Sequence, residues 1–171
     1  FSEERLIEKF NTDLVNTYSN GLHRTLTMSG KYLEGDLSGE KVNTELEDNL
    51  IEEFEKARDE YMKSFGLFSV FHGLKAAIDF TRKVNTYIND AAPFKSGKDN
   101  PGRTRTILYT ILESLRNITI MLYPAIPDTA KSVLKELGYE KKDLNFEKDL
   151  KWGLLDTKKK YMKGKPLFKR I

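Results

Sequence analysis

Asn20 and Arg24 stand four residues apart, each two positions off an apolar stripe that recurs through Tyr18, Leu22 and Leu26. Two residues rotate a helix by about 200°, so the amide and the guanidinium point away from that stripe, one turn apart, on one face. An amide beside a guanidinium is equipment for hydrogen-bonding base edges and for holding phosphate or stacking. The same pair also fits an ordinary solvated helix face. Phe94 is a further candidate: it follows Pro93 in a polar stretch, where a ring either offers a stacking face or packs back on the preceding helix.

Other chemistry is missing. The chain has no cysteine, which excludes disulfides, thiolate metal sites and cysteine nucleophiles together. His23 and His72 could pair across a bundle, but two imidazoles do not make a zinc site, and a lone histidine on a helix is most often a surface or satisfied core residue. No metal ligands and no catalytic residues are therefore assigned. The carboxylates of Glu52 and Glu53 fall in a run of solvated helix. There is no GxxxxGK[ST] loop, GxGxxG strand turn, HExxH or GxSxG, so the chain alone has no visible catalytic machinery.

The elements that must position Asn20, Arg24 and Phe94 are helical. Leu6, Phe10, Leu14, Tyr18, Leu22 and Leu26 recur every fourth position and predict a helix over 3–33, followed by a loop at 34–39. A second helical pattern runs over 44–65, with Phe54, Tyr61 and Phe65 on its inner side, and Gly66 as a stop. A third covers 68–90, with Phe71, Leu74, Ala77, Val84 and Ile88 inward; Pro93 ends it. Residues 94–100 read as a loop, and Pro101 opens a helix over 101–123 with a core face of Ile107, Leu108, Ile111, Leu115, Ile118 and Leu122. Pro124 and Pro127 bracket a break before a short helix over 128–137. Four long helices and a short fifth, joined by short loops and without a credible strand, predict an all-α antiparallel bundle over 1–140. Residues 141–171 lose the period and read as an irregular basic tail of the same domain, packing back through Trp152, Leu155 and Phe168.

A chain of 171 residues, 39% hydrophobic and 32% charged, supports one globular domain. It opens on Phe1 rather than Met and is read as a piece of a longer polypeptide. It offers no eighteen-residue apolar window and no signal-peptide core, so a cytoplasmic location away from membranes is expected. Charge is uneven. The tail over 141–171 carries eleven Lys or Arg against four acids, while 1–140 is net negative. The stretch 36–60 alone holds ten acids against three bases, so any nucleic-acid contact must be local and the second helix should face away from it.

Three segments, in order, resemble the C-terminal anticodon-binding domain of the methionyl-tRNA synthetases, a class I aminoacyl-tRNA synthetase family. The run from Phe10 through Asn11, Asp13, Leu14, Asn16, Asn20 and Arg24 is similar to that family's N-x-D-L-x-N-x-x-x-N-L-x-x-R helix. Residues 84–94, VNTYINDAAPF, resemble A-N-x-Y-I-D-E-x-A-P-W, and residues 165–171, KPLFKRI, resemble P-L-F-P-R-I. The resemblance implies that Asn20 and Arg24 meet the anticodon, and that the aromatic residue after the A-P pair, here Phe94 in place of Trp, stacks on the cytosine opening the CAU anticodon. Asn89 stands at the family's acidic position five residues before that aromatic. The implied partners are the anticodon stem-loop of tRNA(Met) and the catalytic domain of a parent methionine–tRNA ligase. ATP and methionine would bind that catalytic domain, whose HIGH and KMSKS motifs this chain lacks; no cofactor is expected in this chain. The competing readings are the equivalent domain of another class I synthetase, or a helical protein-interaction domain without RNA binding, for which the acidic second helix is the support.

Overall fold

The computed structural model describes residues 17–163, which form seven helices and no strand. They are α1 (Thr17–Leu33), α2 (Glu45–Gly66), α3 (Val70–Ala91), α4 (Pro93–Ser96), α5 (Pro101–Leu122), α6 (Pro127–Glu136) and α7 (Phe146–Asp149). The all-α bundle expected from periodicity is the observed architecture. The long helices end within two residues of the expected positions wherever they fall among described residues; residues 3–16 of the first helix and Phe168 lie outside them. The stretch 94–100, expected to be a loop throughout, begins with the single helical turn α4, because Pro93 presets a helical φ at its first position.

Local signals explain the boundaries. At the start of α2 the Glu47 carboxylate accepts from the Thr44 amide at 2.7 Å, the reciprocal half of a capping box readable as T-x-x-E. Glu45, Glu47 and Asp48 place acids at the positive end of that helix. The Asn100 side chain accepts from the Arg103 amide at 3.1 Å and caps α5. Ala92 closes α3 in the left-handed region at φ 43°, its amide donating to the Ile88 carbonyl.

α5 is the axis of the bundle. Its predicted face is buried throughout, but so is nearly every other side chain from Thr104 to Leu122. α1, α3 and α6 pack around it, and the segment after α7 closes the remaining side through hydrogen bonds to Arg116 and Glu113. α1 runs antiparallel to α5: Tyr18 bonds Thr119 near the end of α5, whereas a Cβ at Gly97, just before α5, would lie 3.7 Å from the Tyr32 ring.

Two inward expectations fail. Phe65 and Phe71 are 44% and 46% exposed. Both sit at the α2–α3 turn, where the bundle ends and a ring has neighbours on one side only; Phe65 meets Tyr61 edge-on at 5.0 Å and Phe146 at 5.4 Å.

Residues 139–163 are irregular apart from α7, but firmly held. Trp152 packs on Phe54 at 5.5 Å, Leu155 is buried, and the buried Tyr161 hydroxyl lies within hydrogen-bond reach of the Leu137 and Asp156 carbonyls at 3.1 and 2.7 Å. The Tyr161 amide reaches the Gly35 carbonyl at 2.9 Å, so this segment crosses from α6 to the end of α1.

Candidate nucleic-acid interface

α1 divides by its 3.6-residue period. Tyr18, Leu22 and Leu26 are each 3% exposed against α5, while Asn20, His23, Arg24, Thr27 and Lys31 face solvent. No described residue bonds the Asn20 amide or the Arg24 guanidinium, so the donor and acceptor of the amide and the donors of the guanidinium are open to a ligand. His23 is exposed on this face, while His72 lies on α3 with its Nδ1 hydrogen-bonded to the Ser69 hydroxyl. The two imidazoles do not pair.

Phe94 is presented by a turn with little freedom. Ala92 is buried in a left-handed conformation that a non-glycine residue adopts at a cost of roughly 1–3 kcal/mol. Pro93 is buried beside it. Thr104, fully buried on α5, donates its hydroxyl toward the Gly97 carbonyl and the Ser96 hydroxyl, each 2.8 Å away. Gly97 turns the chain at φ 43°, where a Cβ would be strained, and abuts Tyr32. With both flanks pinned, the Phe94 ring is 59% exposed. It does not staple back into the core.

Tyr32 and Gly97 thus join α1 to the turn carrying Phe94. Arg24 lies eight residues before Tyr32 and Asn20 twelve, or about 12 and 18 Å along the helix axis. The arrangement is an open strip rather than a closed pocket, with Lys31 on α1 and Lys95 and Lys98 after Phe94 adding positive charge. Asn89 is exposed on the last turn of α3, three residues before Ala92.

Sequence reasoning missed the cluster that fixes this end. Glu47 is 1% exposed and accepts from Arg103 at 2.6 Å, from the Thr44 amide and from the Tyr87 hydroxyl. Burial pushes its carboxyl up, but the Arg103 and Tyr87 bonds outweigh that and hold it below the usual range. The cluster ties the start of α2 to the end of α3 and the start of α5. Its capping half was readable from Thr44 and Glu47; Arg103, 56 residues on, left no local signal. Nearby, Arg105 donates to the Glu40 carbonyl at 2.9 Å and Lys41 lies 4.4 Å from the Tyr109 ring centre.

The family model described as the anticodon binding domain of methionyl tRNA ligase matches residues 38–171. That span contains Asn89 and Phe94; Asn20 and Arg24 precede it. Across the whole chain, methionine–tRNA ligases of Thermotoga maritima and Caldanaerobacter subterraneus are each 34% identical, and that of Streptomyces coelicolor 32%. The chain spans 27% of the first two proteins and 34% of the third. The solved methionyl-tRNA synthetase of Mycobacterium tuberculosis bound by methionyl-adenylate shares the fold, with a TM-score of 0.81 and 22% identity, over 99% of this chain and 34% of that one.

Proposed function

Because the chain belongs to the family of anticodon-binding domains of methionyl-tRNA ligase, we propose that it recognises the CAU anticodon of tRNA(Met) through the strip of Asn20, Arg24 and Phe94, with Asn89 at its edge. In this reading it serves a parent enzyme that joins methionine to that tRNA with ATP. The observation that carries the site is the Phe94 ring, exposed at 59% on a turn pinned by Pro93 and Thr104. A rigid exposed ring is a platform for an unstacked base, and single-stranded RNA loops are read by stacking on such rings and by hydrogen bonds to their base edges. Asn20 supplies the amide that pairs with a base edge, and Arg24 supplies charge for phosphate or a plane for stacking.

Stacking one base on an aromatic side chain contributes roughly 1–3 kcal/mol, so Phe94→Ala and Arg24→Ala are each expected to weaken binding of a CAU stem-loop by about tenfold or more. Phe94→Trp should bind at least as well as the parent, since it restores the larger ring. Titration against CAU and scrambled-anticodon stem-loops decides. The site is wrong if both alanine variants keep the parent's affinities, and the CAU assignment is wrong if the parent shows no preference among anticodons.

A further inference from the structure

Between α6 and the segment that follows it lies a cleft of about 360 Å³ that the strip on α1 and α4 does not use. Lys131 and Lys135 stand on its rim from α6, one turn or about 6 Å apart, and Lys142 faces them from the loop. All three are exposed, and no described carboxylate pairs with any of them. The contrast with the surface of α2 and α3 is direct. There, Lys56 and Lys83 pair with Glu53, and Lys75 with Asp79. The cleft instead gathers Lys131, Lys135 and Lys142, with Glu140 the one acid among its described lining residues, an arrangement that costs self-repulsion unless a polyanion neutralises it.

The wall of the cleft is preorganised. The Tyr139 hydroxyl donates to the buried Asp149 carboxylate at 2.8 Å, and its ring lies 4.7 Å from the Arg116 guanidinium and 5.1 Å from the Lys141 ammonium. Lys141 itself is committed to Asp149. The uncommitted cations of the rim are all lysines, point charges suited to phosphate oxygens rather than to the forked recognition of a base edge. Positive charge also continues toward α1. Lys159 donates to the Glu136 carbonyl at 2.5 Å, Tyr161 bonds Gly35, and Lys158 and Lys160 are exposed on that crossing.

We propose that this cleft is a second, sequence-independent RNA contact, in which Lys131, Lys135 and Lys142 hold backbone phosphates of the RNA whose loop lies on the α1–α4 strip. The proposal rests on the reading of the chain as an RNA-binding domain, and it makes affinity and sequence preference separable properties of two surfaces.

The test is the triple variant K131E/K135E/K142E beside a charge-matched control, K56E/K75E/K83E, with folding of both checked by thermal melting. Each is titrated with folded tRNA carrying a CAU anticodon and with the same tRNA carrying a scrambled anticodon, across a series of KCl concentrations. The cleft variant is expected to lose about tenfold or more in affinity for both RNAs equally, and the salt slope to fall by about 2 to 3, near 0.7–0.9 for each phosphate no longer neutralised. Its CAU preference should stay as in the parent. Unchanged affinity and slope, an equal loss in the control, or a loss confined to the CAU RNA would each overturn the cleft assignment. Saturation of the cleft by inorganic phosphate with RNA affinity untouched by the triple variant would make it a small-anion site and overturn it too. If Phe94→Ala and Arg24→Ala leave the anticodon preference unmoved while the cleft variant still lowers affinity and slope, the strip fails and the cleft stands. If the parent chain binds neither RNA, both fail.

Discussion

Arg116 and Arg24 are the same residue type put to opposite uses. Arg116 is fully buried on α5 and spends its donors inside the protein: two on Glu113 at 2.9 and 2.7 Å, and others on the Asp149 and Lys151 carbonyls. Glu113 is equally buried and also accepts from the Gly153 and Leu154 amides at 2.8 and 3.1 Å. Arg24 faces water on α1 with no described partner. The first arginine is a clamp that holds an irregular segment to a helix; the second has its whole hydrogen-bonding capacity left over. A buried charge is tolerated only when every lone pair and N–H is matched, whereas a recognition group must keep its own unmatched until the ligand arrives. Polar satisfaction, more than residue identity, separates the buried clamp from the proposed contact residue.

The sharpest break of that comparison is to remove the clamp. Arg116→Met leaves the Glu113 carboxylate buried with two backbone amides and no cation, a situation that typically costs about 3–5 kcal/mol. Stability to urea should fall by that order, and residues after 149 should become susceptible to protease first. Anticodon preference, measured at a temperature where the variant is folded, should persist. Arg24→Ala should do the reverse and leave stability within about 0.5 kcal/mol of the parent. If Arg116→Met is nearly neutral, the clamp is ornament and the contrast collapses.

Acid sharpens the same contrast less severely. Burial pushes the Asp149 carboxyl up, but the Lys141 ammonium, the Asn145 amide and the Tyr139 hydroxyl outweigh it and hold the group below the usual aspartate range. A carboxyl whose value is lower in the folded than in the unfolded chain contributes stability in full above the unfolded value, about 3.9, and loses it as pH falls through the folded value. Glu47 acts in the same direction at the other end of the bundle. Unfolding free energy should therefore decline as pH drops below about 4, and Asp149→Asn, less stable at pH 7, should show a shallower decline. Parallel acid profiles for parent and variant would remove Asp149 from the account.

Thr104 tests whether the exposed end depends on its own buried bonds. Thr104→Val keeps the shape but leaves the Gly97 carbonyl and the Ser96 hydroxyl without this partner, at a cost of about 1 kcal/mol. The turn that presents Phe94 loosens, so affinity for the CAU stem-loop should fall a few-fold, more than a matched loss of stability elsewhere produces. Thr104→Ser, which restores the hydroxyl, should recover it.

What could be read from the residues alone follows the same division. The stripe of Tyr18, Leu22 and Leu26 was legible because burial on one side of a helix repeats every 3.6 residues, and it placed Asn20 and Arg24 on the outward side where they lie. Pattern reading treats a polar residue as a solvated one, so the burial of Glu113, Arg116 and Asn117 was invisible: their partners lie up to 41 residues away, in a segment with no period. The exposure of Phe65 and Phe71 was missed for the converse reason, since the period says which side of a helix a ring is on but not where the bundle ends. Phe94 was legible as an oddity, a ring after proline in polar surroundings; the Thr104 clamp that makes it rigid was not.

The smallest effect is expected at Lys158, and it separates the two proposed modes of RNA contact most cleanly. Its side chain is exposed on the crossing between the α6 cleft and α1, with its backbone amide bonded to Asp156 at 2.9 Å, so Lys158→Ala removes a charge without disturbing the fold. A phosphate contact carries no sequence information. The variant should therefore lose about twofold or less for CAU and scrambled RNAs alike, and its salt slope should fall by less than about 1. Proportional loss for every anticodon assigns Lys158 to the backbone path between the two surfaces. A change confined to the CAU RNA would instead extend the reading surface along the 158–163 segment, and the division between a surface that sets affinity and one that sets preference would have to be redrawn.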